Sequence, residues 1–245
     1  MHSRCGNKPS IKNHMKLILF DVDGTLMDSQ QMICAAMDMA WRGQGLPSPE
    51  PAAVRAIIGL SLANAMEQLS AGADHPIDDL VAGYKQAFTT MRAAGTWKAP
   101  LYPGARAAIE SLTRRDDCVL GVATGKSRRG VAAMVETHAL EGVFVTVQTA
   151  DTSPSKPHPG MVLEAMRETG IGPENTVVIG DTVFDMAMAK NAKASAIGVS
   201  WGYHPVADLH EAGAASVIDE FAALDSALAV LWPAVNGEKV AKIHA

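Results

Sequence analysis

The stretch "KLILFDVDGTLMDS", Lys16 to Ser29, decides how the rest of the chain is read. Its first five residues, Lys16 to Phe20, are mostly apolar and run into turn residues, the pattern of a short strand buried on both faces. Asp21 and Asp23 follow two apart, so in extended chain both carboxylates point the same way. In a low-dielectric site such a pair needs a cation to be ionised together, and a hard ion such as Mg²⁺ suits oxygen ligands. Gly24 permits a tight turn that Thr25 can brace with a hydrogen bond. The competing reading is a D-G turn whose aspartates cap local amides. A calcium loop counted from Asp21 fails, because its last position, which needs a glutamate, is Met32.

Bulk properties narrow the function classes. The chain has 245 residues, 48% apolar and 19% charged, enough for a substantial core without disulfide staples. A net charge of −5 with no long basic run argues against nucleic acid as a partner. No apolar stretch approaches the roughly 18 residues of a membrane helix. Cys5, Cys34 and Cys118 are scattered, which fits neither a disulfide nor a zinc framework and suits reduced thiols in a cytoplasm. The polar segment 1–14 lacks the apolar region of a secretory signal and is expected to be a disordered extension. The expected state is monomer or homodimer.

After Asp28 the periodicity changes. Met32, Ile33, Ala36, Met37, Ala40 and Trp41 recur at helical spacing behind a possible Ser29 cap, with Gly43 and Gly45 past the end. A short helix is expected after Ser48-Pro49, a third behind Ser61, and a fourth through Ile77, Leu80, Val81, Tyr84, Phe88 and Met91. From about residue 100, helices alternate with strand candidates at Cys118 to Ala123, Val143 to Gln148, Thr176 to Gly180, Ala194 to Val199 and Ser216 to Ile218. That alternation predicts an α/β fold, a doubly wound parallel sheet with right-handed crossovers. Residues 15–28 and 100–235 are expected to form this core, 29–99 an inserted helical cap, and 236–245 a tail. The insertion falls beside the carboxyl end of the first strand, where open parallel sheets hold ligands.

Three further stretches end strands at the same edge. In "VATGKS", Thr124, Gly125 and Lys126 offer a hydroxyl, turn amides and a charge, either an anion-binding concavity or a plain helix cap. "SKPHPG" sets Lys156 in a proline-stiffened loop, with His158 beside it; alone, either residue reads as solvated surface. "GDTVFD" puts Asp181 at a strand tip and Asp185 in the first turn of the next helix, where a dipole-stabilised acid is the plain alternative. Together they bring two acids, a hydroxyl, a lysine and two more acids to one edge. That set can hold a metal, neutralise a phosphate, and supply a carboxylate nucleophile and an acid/base.

"DVDGTL", "VATGKS", "SKPHP" and "GDTVFD", in this order, closely resemble the four motifs of the haloacid dehalogenase superfamily, over about Lys16 to Val230. Within it, "DGTLMDS", "YPGA" and "ATGKSRRG" look most like phosphoglycolate phosphatases. The resemblance implies a phosphatase acting on a small phosphorylated metabolite, 2-phosphoglycolate first among them. Asp21 would be the nucleophile and Asp23 the acid/base. Mg²⁺ would sit on the Asp21 carboxylate, the Asp23 carbonyl and Asp181. Thr124, Gly125, Lys126 and Lys156 would bind the phosphoryl group, with Asp185 behind Lys156. Dehalogenases of the superfamily lack the second aspartate, so Asp23 favours phosphate chemistry; a phosphosugar mutase keeps both and stays open, as does a non-catalytic phospholigand binder. The turn at Gly59-Leu60-Ser61 is expected to face the site, with Arg55 and Lys98 as candidate partners of a substrate carboxylate.

Overall fold

The computed structural model describes residues 15–95 and 99–233. The segments 1–14 and 236–245, and Lys98, lie outside the described residues. Six strands, β1 (Lys16–Phe20), β2 (Cys118–Thr124), β3 (Phe144–Thr149), β4 (Thr176–Gly180), β5 (Ser195–Val199) and β6 (Ser216–Ile218), form one sheet in the order β3-β2-β1-β4-β5-β6. Every pairing is parallel. The order reverses between β1 and β4, and this switch point is where doubly wound sheets open a crevice for ligands.

Strand β1 is central, so both its faces are covered. Ile18 and Phe20 enter one apolar cluster and Leu17 and Leu19 another, all fully buried. Side chains at alternating positions thus feed the two halves of the core, each buried one adding about 1.5–3 kcal/mol. Helices α5 (Ala105–Thr113), α6 (Arg128–Thr137) and α10 (Leu224–Leu231) cover the first face. Helices α7 (Gly160–Thr169), α8 (Val183–Asn191) and α9 (Val206–Ala212) cover the second. The predicted α/β alternation is the one observed.

Between β1 and α5 stand four helices: α1 (Gln30–Gly43), α2 (Pro51–Ala56), α3 (Leu62–Ser70) and α4 (Ile77–Ala94). They bury an apolar cluster of their own, built around Met37, Trp41, Val54, Met66 and Leu80. The chain enters and leaves this insertion through a narrow neck. Met27 bridges Leu101 antiparallel, the Asp28 amide donates to the Pro100 carbonyl (2.9 Å), and the Tyr102 amide donates to that of Leu26 (2.9 Å).

Local details depart from the sequence reading at helix starts. Helix α2 begins at Pro51 rather than at Ser48-Pro49, and α1 runs through Gly43 before stopping. Ser29 precedes α1 but makes no cap hydrogen bond; its hydroxyl is used elsewhere, as described below. Ser61 does cap α3, accepting from the Asn64 amide.

Candidate active site

The carboxyl ends of β1, β2, β3 and β4 converge. Asp21 continues β1, and its amide donates to the Ile179 carbonyl on β4 (2.9 Å), which fixes its carboxyl at the switch point. Asp181 continues β4. Lys156, from the loop after β3, lies with its ammonium 2.8 Å from Asp21 Oδ1 and 2.5 Å from Asp185 Oδ1 on α8. All four side chains are buried.

Each member is oriented by short-range chemistry. Asp185 is the third residue of α8 and closes a reciprocal cap: the Thr182 hydroxyl (2.6 Å) and amide (3.2 Å) both donate to its Oδ2. Asp181 accepts from the Thr25 hydroxyl (2.8 Å) and from the Tyr203 amide (3.0 Å). Two glycines leave room for it. A Cβ on Gly24 would come 2.3 Å from Asp181 Oδ2, and one on Gly202 2.1 Å from Asp181 Cβ.

Asp21, Asp181 and Asp185 each bring a carboxylate oxygen within 4.8 Å of the others. One buried ammonium faces three carboxylates, a surplus of negative charge that water cannot screen. Burial is the main cause that pushes the Asp21 carboxyl up to about 6, with Lys156 pulling the other way. Burial, then Asp21 and Asp185, hold the Asp181 carboxyl well above the usual range. Burial works against the Lys156 charge, yet Asp185 and Asp21 outweigh it and hold the ammonium above the ordinary lysine value. Asp21 Oδ2 has no hydrogen-bond partner among the described residues, and Oδ1 meets Lys156 only as an ion pair off the hydrogen-bond direction. A buried carboxylate oxygen left open beside two more acids fits a divalent, oxygen-seeking cation.

Asp23 lies at the rim of this cluster. Its Oδ1 accepts from the Ser29 hydroxyl (2.6 Å), and both its oxygens contact the Lys126 ammonium, at 2.8 and 2.9 Å. Sequence spacing offered no pointer to Ser29, because a serine ahead of an amphipathic helix reads as a cap. Lys126, expected to bind an anion, already has its charge engaged by Asp23. Thr124 closes β2 and accepts from the Lys126 amide through its hydroxyl (3.2 Å).

A cavity of about 570 Å³ opens between the sheet edge and the helical insertion, with Asp21, Asp23, Thr124, Gly125, Lys126 and Ser61 in its wall. The turn Gly59-Leu60-Ser61 sits on the loops that follow β2 and β3, against Gly125 in the first and Ser155 in the second. The Ser61 amide donates to the Ser155 hydroxyl (2.8 Å), and Gly59, at φ +104°, approaches Thr182. Arg55 is not among the residues lining the cavity. His158 is exposed and its ring accepts from the Gly160 amide, a local turn. The loop after β5 is more than a connector: Trp201 donates to the Thr25 carbonyl (3.1 Å), and His204 joins the Val183 amide to the Ala56 carbonyl, tying α8 to α2.

A family model described as haloacid dehalogenase-like hydrolase matches residues 18–199. A Dickeya dadantii protein named "Probable phosphatase IndB" is 35% identical over 210 residues, spanning 84% of this chain and 90% of that protein. A phosphoglycolate phosphatase of Pseudomonas putida is 30% identical over 213 residues, 85% of this chain and 78% of the relative. Among solved structures, a hydrolase from Pseudomonas syringae superposes with a TM-score of 0.76 at 26% identity, over 87% of this chain and 97% of that one. Motif order, strand order and the buried acid cluster all agree with that match, and the chain belongs to the haloacid dehalogenase-like hydrolases.

Proposed function

We propose that the protein is a Mg²⁺-dependent phosphatase that hydrolyses a phosphomonoester metabolite through an aspartyl-phosphate on Asp21. The observation that carries this reading is the open, buried Oδ2 of Asp21 within a surplus of carboxylates at the mouth of a cavity. The phosphatase names of the two relatives support it.

Asp21 attacks phosphorus, the bond to the leaving oxygen breaks, and Asp23 delivers a proton to that oxygen. Asp23 then takes a proton from water as the water attacks the phosphorus, releasing phosphate and restoring Asp21. Ser29 and Lys126 hold the Asp23 side chain toward the cavity, as the carboxylic acid for the first step and the carboxylate for the second. Lys156, with Thr124 and the amides of Gly125 and Lys126, stabilises charge on the transferring group. Asp185 positions Lys156. The Asp21 and Asp181 carboxylates and the Asp23 carbonyl would hold the metal, which when bound screens the anionic nucleophile from the anionic ester.

The direct test is phosphate release from a panel of phosphorylated metabolites with Mg²⁺, 2-phosphoglycolate among them. A mutase would instead interconvert phosphosugar isomers with little free phosphate. Chelating the metal is expected to stop turnover and to lower the melting temperature. Restoring Mg²⁺ at a hundred times its Kd should return about 2.7 kcal/mol of stability. Turnover that survives chelation would refute the metal assignment.

The contact between the insertion and the β2 loop supplies another expected result. A Cβ on Gly125 would stand 2.4 Å from the Leu60 carbonyl oxygen and 2.6 Å from that of Gly59. Both are backbone atoms, so the turn itself must move. Gly125→Ala is expected to lower kcat/KM on the order of 10²-fold, the cost of misplacing a binding element by about an ångström. A variant with unaltered kcat/KM would show that this turn does not shape the working site.

A further inference from the structure

The cavity says more about the substrate than the motifs do. We propose that the alcohol released from the phosphomonoester carries a flat, largely apolar ring and is larger than glycolate; this rests on the phosphatase reading above. At about 30 Å³ per water, a cavity of about 570 Å³ holds on the order of twenty waters. A two-carbon acid would leave most of that space wet, whereas volumes of roughly 300–1,000 Å³ are those of sites that enclose drug-sized ligands.

Its walls point the same way. Helix α4 turns Tyr84 and Phe88 toward the cavity; α1 adds Ile33 and Met37, and the segment after α2 adds Ile57 and Ile58. Phe88 stands with its ring 5.3 Å from the Lys126 ammonium, and that ammonium touches Asp23. The Phe88 ring therefore stands one contact away from the group that protonates the leaving oxygen; its face there carries the Lys126 ammonium, and a ring borne by the leaving alcohol can pack edge-to-face against it.

A small carboxylate finds fewer partners. Arg55 does not line the cavity, and Lys126 is engaged by Asp23. The other lining cations, Lys85, Arg92 and Arg129, are exposed, so their charges stand at the solvent edge, where they attract any dianionic phosphate. Among the described residues, the amides opening α3 next to Ser61 favour glycolate, against the apolar walls.

Values of kcat/KM with Mg²⁺ for benzyl phosphate, ethyl phosphate and 2-phosphoglycolate separate the possibilities, since all three are unactivated alkyl esters. Benzyl phosphate is expected to exceed each of the others at least tenfold. Phe88→Ala and Val81→Trp, which respectively removes the aromatic face and narrows the cavity, are each expected to shrink the benzyl-to-ethyl ratio at least fivefold. A preference for 2-phosphoglycolate, or equal values for benzyl and ethyl phosphate, overturns the inference and leaves the phosphatase reading standing. An unaltered ratio in both folded variants also overturns it. Release of phosphate from none of the three overturns this inference, and the phosphatase reading falls with it where the wider panel of phosphorylated metabolites also yields no phosphate.

Discussion

Asp21→Asn is expected to abolish phosphate release, by on the order of 10⁶-fold, the scale reached when a covalent enzyme loses its nucleophile. Asn keeps the shape of the side chain at the β1 tip but cannot form the acyl phosphate. The same substitution should act on stability in the opposite direction. The folded state raises the Asp21 carboxyl from its ordinary 3.8 to about 6, chiefly by burial. Between those values the native state binds the proton more tightly than the unfolded chain, so stability falls as pH rises, and above about 6 the whole cost is present. That cost is on the order of 3 kcal/mol. The metal-free variant should therefore be more stable than the metal-free parent at pH 8 and nearly equal to it at pH 4, by urea midpoint. Mg²⁺ should stabilise the parent more than the variant. Appreciable turnover by the variant would remove Asp21 from the role of nucleophile.

Lys156→Met should be severe in both respects. The ammonium is buried and contacts Asp21 at 2.8 Å and Asp185 at 2.5 Å. Methionine fills similar volume without charge, leaving buried acids uncompensated, which typically costs about 3–5 kcal/mol. The sign follows from Asp21. Its carboxyl is already pushed up by burial and pulled back down by Lys156, so without the lysine it is held higher still, protonated at low pH and costly to ionise at high pH. The stability deficit is expected to be small near pH 4 and to widen toward pH 8. Turnover should fall at least 10³-fold, because the phosphoryl group loses its buried cation. A deficit of the same size at both pH values would mean that packing, rather than charge, is what the lysine supplies.

The parts of this molecule readable from sequence are those set by local pattern. Strands β1 and β4 matched their expected spans, Lys16–Phe20 and Thr176–Gly180, because both are continuous apolar runs stopped by an acid or a glycine-acid pair. The acids at those ends were visible for the same reason. What stayed hidden depends on residues distant in sequence. The ion pair between Lys126 and Asp23 spans 103 positions, so no local pattern could show it. Ser29 looked like a cap, since nothing local shows that its hydroxyl turns back to Asp23. Tyr203 contributes a backbone amide to Asp181, a role that no side-chain pattern can reveal. Helices α9 and α10 are short, so periodicity gave them little definition.

The neck at Met27 and Leu101 has an evolutionary corollary. Because outgoing and returning chain are clasped side by side there, whatever lies beyond is attached like a cassette on a fixed socket. Mutation can lengthen, reshape or exchange the portion that walls the cavity while the acids below keep their places. Change in the cavity's upper wall is thereby separable from change in the acids, so one catalytic floor can serve under differently shaped roofs.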